Sequence, residues 1–136
     1  MCIRYDIALQ SINKIQKPSA KILEAKQQML YRLGVQEFVN GEMDGAIKFF
    51  DQSLELARYN KQTEGETHFW KGEALFRKGD MVAARKNYRK ALAVDEENNR
   101  KALYGIGYTF FTEERFEEAL KEFNQFAKVA EKEGYD

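Results

Sequence analysis

The sequence predicts an all-α protein built from one repeated helical hairpin, and three observations carry that expectation. Its 136 residues include one proline and nine glycines, with many Ala, Leu, Glu, Lys and Arg and few β-branched runs, a balance that favours helices over strands. Apolar residues recur at three- and four-residue steps along most of the chain, the spacing of a single helix face. A glycine followed twelve positions later by an alanine occurs three times, as Gly34 with Ala46, Gly72 with Ala84 and Gly107 with Ala119. With 43% hydrophobic and 13% aromatic content the chain can bury a core and is most simply one domain.

Each element follows in order. Ile3, Ile7, Ala8, Ile12 and Ile15 keep a helical period, so a short amphipathic helix is expected over residues 1–17, interrupted at Lys17-Pro18. Pro18 suits the first turn of the next helix, which runs from Ser19 to Asn40 and stops at Gly41. A partner helix is expected from Met43 to about Asn60, closing an antiparallel hairpin. Thr63 and Glu66 have the spacing of a capping box, which predicts a helix from Glu64 to Lys78. Gly79-Asp80 turns the chain into Met81 to about Val94, and Asp95 to Asn98 is a polar exit. Arg100 to Thr112 and Phe116 to about Glu133 supply the last hairpin, with Gly134 as terminator.

The small residues predict close helix pairs, because a glycine facing an alanine removes the bulk that would wedge a hairpin open. The glycines are 38 and then 35 residues apart, an excess close to one helical turn that a longer second helix in the first unit would absorb.

These residues resemble the tetratricopeptide repeat, a helix-turn-helix unit of about 34 residues. Leu30, Leu33-Gly34, Gly41, Ala46, Phe50 and Ser53-Leu54 carry the resemblance in the first repeat. Gly72, Gly79-Asp80, Ala84, Tyr88 and Ala91-Leu92 carry it in the second, and Gly107, Phe110, Phe116, Ala119 and Phe123 in the third. The motifs would span about 27–61, 63–98 and 99–133, within a repeat region of residues 18–136. The chain departs from the pattern at His68, Lys71, Glu114 in place of a turn glycine, Phe126 in place of a small residue, and Arg58, Glu96 and Glu131 in place of the closing prolines.

The resemblance implies a right-handed superhelix of antiparallel helix pairs, with one extra helix in front, whose first helices line a concave groove that holds a peptide or helix. Its groove positions fall on Gln28, Tyr31, Val35, Phe38 and Val39, then on Glu66, Phe69, Glu73, Phe76 and Arg77. In the third repeat they fall on Lys101, Tyr104, Tyr108, Phe111 and Thr112. The set is rich in aromatic residues, which bury large areas at little entropic cost and dominate many interfaces. The family's clamp for a terminal carboxylate would need Lys, Asn and Arg at Tyr31, Val35, Trp70, Lys101 and Gly105, and only Lys101 fits. A lone cation offsets little of a carboxylate's desolvation, so the expected partner segment is apolar or amphipathic.

Twenty-two basic residues balance twenty-two acidic ones, which argues against nucleic acid or anionic lipid as partners of the whole molecule. Arg85, Lys86, Arg89 and Lys90 share a helix face and are read as a solvated outer surface. Glu113, Glu114, Glu117 and Glu118 are read as acids that complement a helix start. The single histidine, His68, has no second ligand at metal spacing and is given a structural role, and no nucleophile motif or phosphate loop is present. The expectation is therefore no enzyme, no metal and no cofactor. The single cysteine, Cys2, fits a reducing compartment, for which the cytoplasm is the default. Leu120, Phe123, Phe126, Ala127 and Val129 leave an apolar face on the last helix. Self-association through that face is the alternative to groove binding; the chain being an excerpt of a longer repeat protein would also account for it.

Overall fold

A computed structural model describes residues 4–132. Cys2, Ile3, Glu133, Gly134 and the side chain of Val129 lie outside the described residues, and with them the expected terminator. The elements are α1 (Tyr5–Asn13), α2 (Ala20–Val39), α3 (Met43–Leu54), α4 (Lys61–Arg77), α5 (Met81–Val94), α6 (Lys101–Thr112) and α7 (Phe116–Lys132). Short 3-10 turns at Ala57–Tyr59 and Glu97–Asn99 join the hairpins. Helices α2/α3, α4/α5 and α6/α7 pair in turn, α3 packs on α4, α5 packs on α6, and α1 packs on α2. The result is an all-α superhelix of stacked hairpins preceded by one extra helix. Leu9 of α1 shares a small recess with Leu30 and Leu56, so α1 covers the outer side of the first hairpin.

The helix starts are fixed by side chains that accept orphan backbone N–H groups. Ser19 accepts from the Ile22 amide at 3.3 Å, Asn60 from Thr63 at 2.9 Å and Asp80 from Ala83 at 3.1 Å. Pro18 thus stands before the cap and outside α2. Asn60, not Thr63, starts α4, and Thr63 is buried two residues inside the helix. The reason lies just upstream: α3 ends at Leu54 instead of about Asn60, and the 3-10 turn delivers Asn60 in an extended conformation suited to capping. The longer first interval therefore sits at the front of α4. Gly72 is the twelfth residue of its helix, whereas Gly107 is the seventh of α6.

All three intra-hairpin turns share one backbone. Gly41, Gly79 and Glu114 have φ of 83°, 89° and 61°. In each, the amide after that residue returns to a carbonyl five residues back, from Glu42 to Glu37 at 2.9 Å, Asp80 to Leu75 at 3.0 Å and Arg115 to Phe110 at 2.8 Å. This is the Schellman closure of a helix C-terminus, in which left-handed backbone normally selects glycine. Glu114 adopts it despite its side chain, so the third hairpin turns as tightly as the others.

The glycines do not serve the alanines in the way the spacing suggests. A Cβ on Gly34 would stand 2.4 Å from the Phe50 ring, on Gly72 2.8 Å from the Tyr88 ring, and on Gly107 2.5 Å from the Phe123 ring. Each ring lies one turn beyond the alanine, at the sixteenth residue after the glycine. Ala46 and Ala84 are fully buried and Ala119 nearly so, but the bulk the glycine accommodates is aromatic. Tyr88 is wedged from both sides, because a Cβ on Gly105 would stand 2.7 Å from its Cζ.

Charge also ties the stack together. Arg85, expected on a solvated face, is buried between repeats, where it pairs with Glu113, donates to Thr109 Oγ1 at 3.2 Å and lies 4.3 Å from the Phe110 ring centre. Arg89 reaches Glu122 at 3.9 Å, and Lys71 reaches Asp51 at 2.6 Å. The basic second repeat and the acidic third are therefore partly complementary surfaces of one joint. Between the first two repeats the buried Gln27 donates to the Asn60 carbonyl at 2.9 Å, while Ser53 donates to the Gln27 carbonyl at 2.9 Å.

Candidate functional site

Two adjoining recesses open at the third repeat, one between it and the second repeat and one between its own two helices. The larger, about 450 Å³, is bounded by Phe69, Glu73 and Phe76 of α4, Tyr88 of α5, Lys101, Tyr104, Gly105 and Tyr108 of α6, and Phe126 of α7. The smaller, about 300 Å³, is bounded by Tyr104, Tyr108, Phe111, Phe123 and Phe126. Tyr104, Tyr108 and Phe126 thus form the wall between them. The rings stand edge-on or tilted, with Tyr104 5.0 Å from Tyr108, 5.3 Å from Phe123 and 5.7 Å from Phe126, and Phe76 6.5 Å from Tyr108. These are favourable separations for ring pairs. Even so, Tyr104, Tyr108 and Phe111 keep 46%, 43% and 52% of their surface exposed.

Polar groups are few and placed at the margins. The Tyr88 hydroxyl donates to Glu73 Oε1 at 2.6 Å. Burial first, and the Glu73 carboxylate second, raise that hydroxyl well above the ordinary tyrosine range, so it stays protonated and donating. Lys101 holds its Nζ 4.4 Å from the Phe69 ring centre, and Arg77 lies 4.9 Å from that of Phe38, both within cation–π reach.

Of the residues expected in the groove, the structure gathers Phe69, Glu73, Phe76, Lys101, Tyr104, Tyr108 and Phe111. Phe69 is itself buried and offers little more than an edge. Tyr31 and Phe38 belong to the core between the first two repeats, with Val35 packed against it. Their rings pack on Phe50 and Trp70, so they offer a partner less surface than the half-exposed rings of the third repeat. Glu66 joins Tyr31, Arg32 and Asn60 around a separate polar depression of about 200 Å³. Burial, and then the Glu66 charge, raise the Tyr31 hydroxyl above its usual range. Gln28 also lines that depression, and Val39 lies exposed at the end of α2.

The groove positions omitted Tyr88, Gly105, Phe123 and Phe126. Phe126 was visible as a bulky residue where the family has a small one, and Gly105 as a clamp position with no side chain. Neither signal shows that the missing bulk at 105 admits the Tyr88 ring, or that Phe126 reaches over α6. His68 is held by its surroundings near the Lys71 and Lys90 side chains. Burial, then those two positive charges, depress its imidazole to about 4. Among the described residues no group of three His, Cys, Asp or Glu is arranged to hold a metal, and no helix is long and apolar enough to cross a membrane.

A match to the tetratricopeptide repeat family spans residues 71–133. Over those residues the chain carries tetratricopeptide repeats. Its fold is similar to that of a crystal structure of MamA, with a TM-score of 0.71 and 20% identity over 84% of this chain and 68% of that one. A second MamA crystal structure gives 0.66 and 19% over 94% and 65%, and a MamA mutant gives 0.65 and 20% over 93% and 98%. This chain thus spans about two thirds of the first two, and at these identities the likeness is one of fold. No curated protein matches the sequence. Tetratricopeptide repeats generally form protein–protein interaction modules.

Proposed function

We propose that this protein is a non-enzymatic binding module that takes a partner peptide or helix in the aromatic cleft at its third repeat. The observation that carries the reading is the cluster of half-exposed rings, Tyr104, Tyr108 and Phe111, around an open apolar recess. Rings held by their neighbours lose little freedom on binding, and exposed apolar surface of this kind marks contact sites. On this reading residues 18–136 act as one unit of three repeats, residues 1–17 cap it, and Glu66, Glu73, Arg77 and Lys101 orient the segment. A cytoplasmic setting belongs to the same proposal, supported by a sequence with one cysteine and hence no internal disulfide. The test is capture of partners from the source cell by the wild-type chain and by a Phe76→Ala, Tyr108→Ala double variant of unchanged helicity. Loss of the captured partner supports the reading, and undiminished capture refutes it.

The alternative, self-association, has its own observation: Phe116 and Leu120 on α7 are 56% and 59% exposed. Light scattering over a concentration series reads it directly. Leu120→Glu should abolish any dimer formed through this face without touching the cleft, whereas Phe123 packs on Gly107 and is a poor probe.

A further inference from the structure

The outer face of α7 carries a charge order that specifies what covers it, an inference that rests on the self-association reading above. The second helix of each hairpin makes the joint to the next repeat, and the joints are matched in charge. Asp44 and Asp51 of α3 meet Lys78 and Lys71 of α4, while Arg85 and Arg89 of α5 meet Glu113, just after α6, and Glu122 of α7. Helix α7 holds the same position in the third hairpin. Its outer side is a shallow trough of about 520 Å³ lined by Glu117, Leu120, Lys121, Asn124, Gln125 and Lys128. Glu117 stands at one end and Lys128 at the other, eleven residues on, which is close to three turns and so on one helix face. The neighbouring acids are engaged, Glu118 with Arg115 and Glu122 with Arg89. Among the described residues Glu117, Lys121 and Lys128 make no ion pair.

We infer that this face docks a second copy of itself, antiparallel about a two-fold axis, with Leu120 of both copies near the axis and Glu117 of each opposite Lys121 and Lys128 of the other. Other arrangements fail on charge. In a parallel pair Glu117 meets Glu117 and Lys128 meets Lys128, so like charges face each other. A uniformly acidic or uniformly basic partner matches one end of the trough and opposes the other end. A surface of reversed order suits both ends, and this face turned end for end is such a surface, the self-complementarity that a two-fold contact requires. The last turn, Glu131 and Lys132, carries one charge of each sign and leaves that preference unchanged. Leu120, 59% exposed, supplies apolar area whose burial drives association, and the ion pairs fix the orientation. One helix face from each copy makes a small interface, so the dimer is weak and concentration-dependent. Phe123 and Phe126 line the recess on the other side of α7, so pairing leaves the cleft open.

The test is sedimentation equilibrium of the full chain over a concentration series at low and high salt, with circular dichroism confirming the fold of each variant. The wild-type chain should dimerise, and less tightly as salt rises. Glu117→Lys alone, and Lys121→Glu with Lys128→Glu, should each raise the dissociation constant about tenfold or more, because each sets like charge against like. The variant that carries all three changes reverses the order at both ends and should dimerise as wild type does. Leu120→Glu should leave a monomer. A dimer that is lost with Leu120→Glu but indifferent to the charge changes, or not restored by combining them, would overturn the antiparallel arrangement and leave self-association standing. A wild-type chain that stays monomeric throughout, or a dimer untouched by Leu120→Glu, would overturn both.

Discussion

Replacing Gly72 by alanine tests the packing principle of the whole stack. Alanine is favoured over glycine in a helix by up to about 1 kcal/mol, so propensity alone predicts a more stable protein. At Gly72, however, the new Cβ would lie 2.8 and 2.9 Å from Tyr88 ring carbons. The ring has nowhere to go: it is 1% exposed, it rests on Gly105 on its other side, and its hydroxyl is held by Glu73. Overpacking of a filled core costs roughly 1–3 kcal/mol, and loss of the Tyr88–Glu73 hydrogen bond would add about 1 kcal/mol. The net expectation is a loss of about 2 kcal/mol. Gly45 supplies the control, because its Cβ would meet only the carboxylate end of Glu37 at 2.8 Å, which can swing away. Gly45→Ala should therefore gain about 0.5–1 kcal/mol. Urea unfolding followed by circular dichroism should place the two variants on opposite sides of wild type. A Gly72→Ala protein as stable as Gly45→Ala would refute the claim that these glycines exist to seat aromatic rings.

Other outcomes follow from the same structure. Glu114→Gly relieves a left-handed backbone that costs a non-glycine residue about 1–2 kcal/mol, offset by roughly 0.5–1 kcal/mol of added chain freedom when unfolded; urea midpoints should rise modestly, whereas Gly41→Ala, at φ 83°, should lower them. Glu113→Ala leaves the buried Arg85 without its carboxylate and should cost about 3 kcal/mol, read by thermal unfolding, with Glu113→Asp restoring part of the loss. His68 is neutral in the fold with its imidazole depressed to about 4, so the unfolded chain binds the proton first. Stability attributable to it is intact above pH 6.5 and is lost as pH falls toward 4, by about 2 kcal/mol at pH 5. Urea melts at pH 7 and 5 should show a smaller drop for His68→Leu, and an equal drop would remove the imidazole as the cause.

The sequence disclosed the repeat, the hairpins and much of the aromatic cleft because those rest on local regularities: helical period, turn glycines, and a small residue recurring in phase. What it concealed depends on neighbours distant along the chain. Asn60 and Thr63 are both good caps by composition, and only the 3-10 turn at Ala57–Tyr59 decides between them. Arg85 and Arg89 are one turn apart and look like an outer face until α6 and α7 bring Glu113 and Glu122 against them. Tyr31 and Phe38 have the same residue types and helix positions relative to Gly34 as Tyr104 and Phe111 have relative to Gly107, yet repeat two covers the first pair while the second is left open. Burial of equivalent positions is set by what stacks next, a quantity no single repeat contains.

Helix α7 has two occupations. Phe123 and Phe126 reach inward to wall the recesses, while Phe116 and Leu120 face outward. A rigid rod of side chains cannot tilt at one surface and stay fixed at the other. Whatever presses on the outer side therefore sets the width of the opening on the inner side, and the end of the stack becomes a lever on its own mouth.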